Sequence, residues 1–194
     1  MASPDPSAAA PPYASHPDWI TLSAITIVAG ALTTLIHEGL GHGGACWLSG
    51  GHNLVISTVN EDCTVANPWI DAAGTLANLG AGFVFWWLSR RVKRSPHWHF
   101  FFWLAMTFNL LTAAGYWLFS GVANVGDWAA VIAGLQPVWL WHAYLVIVGA
   151  AIYVVFVRLV AWELKPLLPR DGPGRVGRAQ GLMLVPYFTY GILN

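Results

Sequence analysis

Four long stretches of the chain carry no Asp, Glu, Lys or Arg, and each is bounded by such a residue or a polar loop. WITLSAITIVAGALTTLIH lies between Asp18 and Glu38, and AAGTLANLGAGFVFWWLS between Asp71 and Arg90. HWHFFFWLAMTFNLLTAAGYWLF runs from His97 to Phe119, and a longer stretch separates Asp127 from Arg158. Crossing a hydrocarbon core of about 30 Å takes about 20 mostly apolar residues in a helix, so each stretch predicts a membrane span. Pro137 divides the last one into a short helix and a full span beginning at Val138. The terminal AQGLMLVPYFTYGILN is apolar but broken by Pro186, which predicts a short or re-entrant fifth segment. The expected spans cover residues 19–42, 70–89, 98–120 and 138–160, with the short segment over 179–193.

Between the first two spans the pattern changes to β-branched and aliphatic residues. Leu54 to Val59, turn-like Asn60–Asp62 and a return over Cys63–Ala66 predict a small β-hairpin. The expected fold is an all-α membrane protein: a polytopic bundle of four to five transmembrane segments with one hairpin between the first two. It would form a single domain over 19–194, after a Pro/Ala/Ser-rich tail over 1–18 expected to be disordered. That tail has no Lys or Arg, so it lacks the basic region of a signal peptide, and the first helix is expected to be a retained span.

Composition supports the same class. Of 194 residues, 9% are charged and 56% hydrophobic, against about 25% charged in an ordinary soluble domain. The 12 Trp suit two membrane–water interfaces. A soluble enzyme and a disordered chain are excluded, and the zero net charge gives nucleic acid no basic face to bind. Arg90, Arg91, Lys93 and Arg94 follow the second span, and Arg158, Lys165, Arg170, Arg175 and Arg178 follow the fourth. All nine fall on one side of the predicted bundle, the cytoplasmic side by the positive-inside rule. The N-terminus is then cytoplasmic, and segments 43–68 and 120–137, without a basic residue, face outward. Cys46 and Cys63 lie together on that outer side, either as a disulfide or as two buried thiols.

The first span ends in LIHEGLGHGG. Ionisable groups at membrane depth are costly, so His37, Glu38 and His42 form a functional hypothesis by position alone. Two neutral imidazoles with an adjacent carboxylate suit a zinc hydrolase in which the Glu acts as general base. In the usual H-E-x-x-H motif the two His share one helix face. Here the second His is at i+5, about 140° away on an ideal α-helix. A π-bulge would bring them together, and Gly39 and Gly41 make it sterically cheap. The H-E-x-x-G-H spacing resembles the extended zinc motif of the dipeptidyl peptidase III family, in which both His are ligands.

A membrane helix ending this way, followed by a Gly-Gly pair and a hairpin, resembles the first core segment of the site-2 proteases, the intramembrane zinc metalloproteases. Their next helix carries A-G-P-x-x-N. Ala73-Gly74-Thr75-Leu76-Ala77-Asn78 matches with Thr75 in place of Pro. Their third core helix carries N-x-x-P and then an Asp-Gly. Here Asn109-Leu110-Leu111-Thr112 lacks the Pro, and Asp127 comes later without a following Gly. The resemblance covers about residues 25–130. It implies Zn2+ held by His37, His42 and Asp127, with Glu38 as the catalytic base and Asn78 and Asn109 near the substrate path. It also implies hydrolysis of peptide bonds in membrane-embedded peptide or protein substrates by metal-activated water, in a multi-pass protein of the bacterial cytoplasmic membrane. Family members usually place the residues after the first motif toward the cytoplasm, whereas the basic residues here place them outward.

Asp71, His52 and His142 compete with Asp127 as third ligand, and both Asp71 and Asp127 also read as helix N-caps. Asn78 and Asn109 equally suit hydrogen bonds between helices. Other functions are a catalytically inactive scaffold or binding protein of the same fold, or a haem protein pairing His37 with His142. Glu38 has no evident role in the haem reading.

Overall fold

The computed structural model describes residues 18–92, 95–168 and 174–193. The tail over 1–17, Lys93, Arg94 and Arg170 lie outside the described residues. The chain is mostly helical: α1 (Trp19–Thr34), a π-helical segment (Leu35–Gly43), α2 (Gly44–Leu48), strands β1 (Asn53–Ile56) and β2 (Glu61–Cys63), α3 (Pro68–Arg91), α4 (Pro96–Ala123), α5 (Asp127–Ile132), α6 (Val138–Leu164), a 3₁₀ turn (Lys165–Leu167) and α7 (Arg175–Leu193).

Helix boundaries follow from capping and proline. Asp18 caps α1 by accepting from the Ile20 N–H, and Asn67 caps α3 by accepting from Trp69, with Pro68 at its first position. Pro96 opens α4, and Asn124 closes it in the left-handed conformation (φ 54°). Pro137 immediately precedes α6. Three helical stretches are long and apolar enough to cross a membrane: Trp19–Leu48, Pro96–Ala123 and Val138–Leu167. α3 and α7 fall short of that apolar standard. In α3, Ala72, Ala73, Gly74, Thr75, Asn78 and Gly82 turn small or polar positions into the bundle, which costs the helix hydrophobicity. The C-terminal segment is a 19-residue helix with Pro186 inside it, longer than the short segment expected.

α4 is the central helix, packing on α1, α3 and α6, while α7 lies against α1. Phe100, Trp103, Leu104, Met106 and Leu110 of α4 are fully buried with Leu22, Phe156 and Leu182 around them. Polar groups cross between helices. Trp103 Nε1 donates to the Val160 carbonyl at 3.1 Å, and Trp86 Nε1 to Glu163 Oε1 at 2.8 Å. Glu163 also lies 3.7 Å from Arg90, so this buried acid at the end of α6, not singled out by its sequence context, serves packing. Exposed Trp19, Trp87, Trp98 and Trp162 mark the helix ends at one pole of the bundle, and Trp47, Trp69 and Trp139 those at the other.

The hairpin is antiparallel, but its turn comes earlier than the sequence suggested. Ile56 pairs with Glu61 and Asn53 with Cys63, so Ser57–Asn60 is the turn and Asn60–Asp62 is not. The Ser57 hydroxyl causes the shift: it accepts from the Val59 and Asn60 N–H groups and donates to the Asn60 carbonyl. Cys46 and Cys63 form a disulfide that ties β2 to α2, deciding between the two readings of these cysteines.

Candidate metal centre

The site begins with the π-helical segment. Its wider turn puts His37 and His42 on one side, with ring centroids 4.8 Å apart, as the i+5 spacing required. It depends on two facing glycines. A Cβ on Gly41 would lie 2.5 Å from the Gly74 Cα and 2.8 Å from the Ala73 carbonyl, and a Cβ on Gly74 would overlap His42 Nε2. The Ala73-Gly74 pair therefore has a steric purpose: the π segment lies directly on the α3 backbone, and the two imidazoles lie over Gly74.

The reactive nitrogens converge with one carboxylate oxygen. His37 Nε2 and His42 Nε2 are 3.2 Å apart, and Asp127 Oδ2 lies 3.2 Å from the first and 3.5 Å from the second. Four ligands held tetrahedrally at zinc–nitrogen distances of about 2.0–2.1 Å lie about 3.3 Å from one another, so the three donors have the spacing of such a site. His42 Nδ1 must donate to the Ile70 carbonyl at 2.7 Å, because a carbonyl only accepts. Neutral His42 therefore presents a bare Nε2 to the other two donors. Three lone pairs this close repel unless a cation or a shared proton lies among them, and the donor set is therefore one that fits a divalent cation. His37 is held differently. Its Nδ1 is buried without a hydrogen bond, and its ring lies 4.7 Å from that of Tyr116.

Asp127 reaches the histidines from another part of the chain. Gly126 has φ 89°, a conformation natural to glycine, and starts α5 with Asp127 as its first residue. Asp127 is thus not the N-cap. Its Oδ2 accepts a hydrogen bond from Thr75 Oγ1 at 3.1 Å. Thr75, the residue that departs from the A-G-P pattern, holds the carboxylate that completes the trio. Burial alone would raise the Asp127 pKa, but the imidazoles of His37 and His42 against it hold its carboxyl well below the usual range.

Glu38 is 6% exposed and borders two cavities. One, of about 740 Å³, is lined by His42, Asp71, Asp127 and Tyr116, with Asn60 and Glu61 from the hairpin. The other, of about 330 Å³, runs between Gly30 of α1 and Leu35 of the π segment on one side and Ile56 and Ser57 of the hairpin on the other. Burial pushes the Glu61 carboxyl above its ordinary value.

The competing ligands fall elsewhere. His142 Nδ1 donates to the Gly121 carbonyl at 2.9 Å, tying α6 to α4, and His142 is not among the donors that converge with His37. His52 binds Thr64 through its backbone in the hairpin. Asp71 lines the larger cavity from the first turn of α3, which Asn67 caps. Asn78 and Asn109 are fully buried and line neither cavity that Glu38 borders. Asn109 donates to Thr33 Oγ1 at 2.9 Å and to the Ala105 carbonyl at 2.8 Å, joining α4 to α1. Thr75, Tyr116 and Glu61 were not singled out by sequence. Only the Thr75 departure from the motif could have drawn attention.

No family model, no curated protein and no solved structure matches this chain.

Proposed function

We propose that the chain is an intramembrane zinc metalloprotease that cuts membrane-embedded peptides. The observation that carries this reading is the convergence of His37 Nε2, His42 Nε2 and Asp127 Oδ2 within 3.5 Å beside a buried, cavity-lining Glu38. When bound, zinc would supply Lewis-acid polarisation of the scissile carbonyl and of the attacking water. Glu38 would take the proton from that water and pass it to the leaving amine. Its burial beside a water-accessible cavity suits a base that must both accept and release a proton. Tyr116 and the π segment hold the imidazoles in place, and Thr75 holds the carboxylate.

Cutting within a membrane needs an unwound substrate. β1 belongs to a two-stranded sheet, all of its residues are exposed, and Ile56 and Ser57 line the smaller cavity that reaches Glu38. An extended substrate segment would add to this edge through main-chain hydrogen bonds. The reading includes four crossings, by α1, α3, α4 and α6, with α7 as a fifth segment against α1. The two tryptophan girdles and the basic residues at one pole support it, with the N-terminus on the cytoplasmic side of a bacterial membrane.

Metal analysis of the purified protein, followed by peptide cleavage, tests the proposal. About one zinc per chain is expected, lost in His37→Ala and His42→Ala and retained in Glu38→Gln. Cleavage of a model transmembrane peptide is expected from the zinc-loaded protein and not from Glu38→Gln. An intact fold without bound metal would overturn the proposal, and zinc without cleavage would identify an inactive relative of such enzymes.

A further inference from the structure

The charge around the larger cavity is one-sided. Four carboxylates line it, those of Glu38, Glu61, Asp71 and Asp127, and no Lys or Arg does. The asymmetry extends through the chain, because segments 43–68 and 120–137, which contribute the hairpin and α5, contain no basic residue. A divalent cation at the His37–His42–Asp127 trio would offset two of the four charges, leaving Asp71 and Glu61 on the cavity wall without a counter-charge. Two further observations show that the wall is unsatisfied. Glu38, 94% buried by its 6% exposure, forms no hydrogen bond among the described residues, and Glu61 Oε1 is buried without a partner. Buried carboxylates are costly unless something pairs with them. The cavity, at about 740 Å³, has room for a long side chain.

We infer that this cavity selects a peptide carrying a Lys or Arg side chain next to the bond to be cut, with Asp71 and Glu61 receiving its cation. The inference rests on the proteolytic reading for the position of that bond, but the recognition is a binding property that can be measured without turnover. Asp71 approaches from the start of α3 and Glu61 from β2, so a cation between them would also draw the hairpin against the bundle.

The test uses Glu38→Gln protein, loaded with zinc in lipid nanodiscs, and a fluorescent transmembrane peptide containing one lysine, norleucine or glutamate at the same position. The lysine peptide is expected to bind at least about tenfold more tightly than the norleucine peptide, and the glutamate peptide more weakly than both. Asp71→Asn with Glu61→Gln should bring lysine down to the norleucine affinity, with zinc binding confirming that the site is folded. The inference is overturned by equal affinities, by binding of none of the three peptides, or by a lysine preference that survives the double variant. It is also overturned if excess zinc abolishes the preference, because the two carboxylates would then be a second metal site. The comparison among the three peptides does not require the Asp71→Asn/Glu61→Gln protein to fold. If zinc-loaded wild type cleaves none of the peptides, the proteolytic reading fails while the affinities still decide the charge preference.

Discussion

Replacing Thr75 with valine removes one hydroxyl while keeping the side chain's shape. Thr75 is 1% exposed, and its hydroxyl donates to Asp127 Oδ2 at 3.1 Å. That oxygen is the one facing both imidazoles, so the hydrogen bond fixes the rotation of the carboxylate and leaves another lone pair toward the trio. Losing an outer-shell partner of a metal ligand typically weakens metal binding roughly 10- to 100-fold, or about 1.4–2.7 kcal/mol. Asp127 is also the one donor of the trio outside the π segment, so its orientation is not enforced by the helix that holds the histidines. The assay is a zinc titration against a chromophoric chelator. Thermal unfolding with and without saturating zinc should show the same difference, because the metal stabilises the folded state in proportion to the logarithm of its affinity. Thr75→Ser keeps the donor and should restore most of the affinity. If Thr75→Val binds zinc within about twofold of wild type and unfolds at the same temperature, the hydroxyl does not orient the Asp127 carboxylate for the metal.

Gly74→Ala should abolish zinc binding while leaving helix content by circular dichroism unchanged, because its methyl would overlap His42 Nε2 and lie 2.8 Å from His37 Nε2; retained zinc would mean that the imidazoles sit elsewhere. Reducing the Cys46–Cys63 disulfide, which links residues 17 apart, should lower stability by about 3 kcal/mol and expose the hairpin, not the helices, to limited proteolysis. The Asp18 pKa is lowered mainly by the Thr21 hydroxyl. The α1 cap is therefore fully stabilising above the ordinary carboxylate range near pH 4 and is lost as pH falls through the lower folded value. A carboxyl-carbon NMR titration should give a midpoint below that range, and one at or above it would disprove the cap.

Much of the architecture was legible because it depends on short-range physics. Uncharged stretches set the helices, and Pro68, Pro96 and Pro137 set where three of them begin. The π segment was also readable, since an i+5 pair flanked by glycines can share a ligand in few other ways. The hairpin register was not, because a side chain, the Ser57 hydroxyl, decided where the chain turned. The apolar weakness of α3 has a similar origin. Along the chain its small residues stand out only as a partial motif match, but they are the surface on which the π segment rests.

His37, Glu38 and His42 could be nominated from sequence because helix periodicity and the cost of ionisable groups in a membrane act on neighbouring residues. The third donor of the trio could not be decided that way. Asp127, Asp71, His52 and His142 are all of suitable type, and choosing among them depends on contacts between residues as far apart as Thr75 and Asp127. Asn78 and Asn109 show the same limit: their chemistry permits either a substrate contact or a helix–helix bond, and the packing of α4 on α1 assigns Asn109 the second. By itself the sequence determined a mostly helical protein with stretches long and apolar enough to cross a membrane, a polarised distribution of charge and a His-Glu pair at the end of one such stretch, because these are properties of composition and local spacing. Only the tertiary structure decided that Gly74 makes room for the imidazoles, that Thr75 holds Asp127 to them, and that four carboxylates share one cavity. Each of those depends on which distant surfaces come within about 3 Å, the range over which hydrogen bonds and steric exclusion operate.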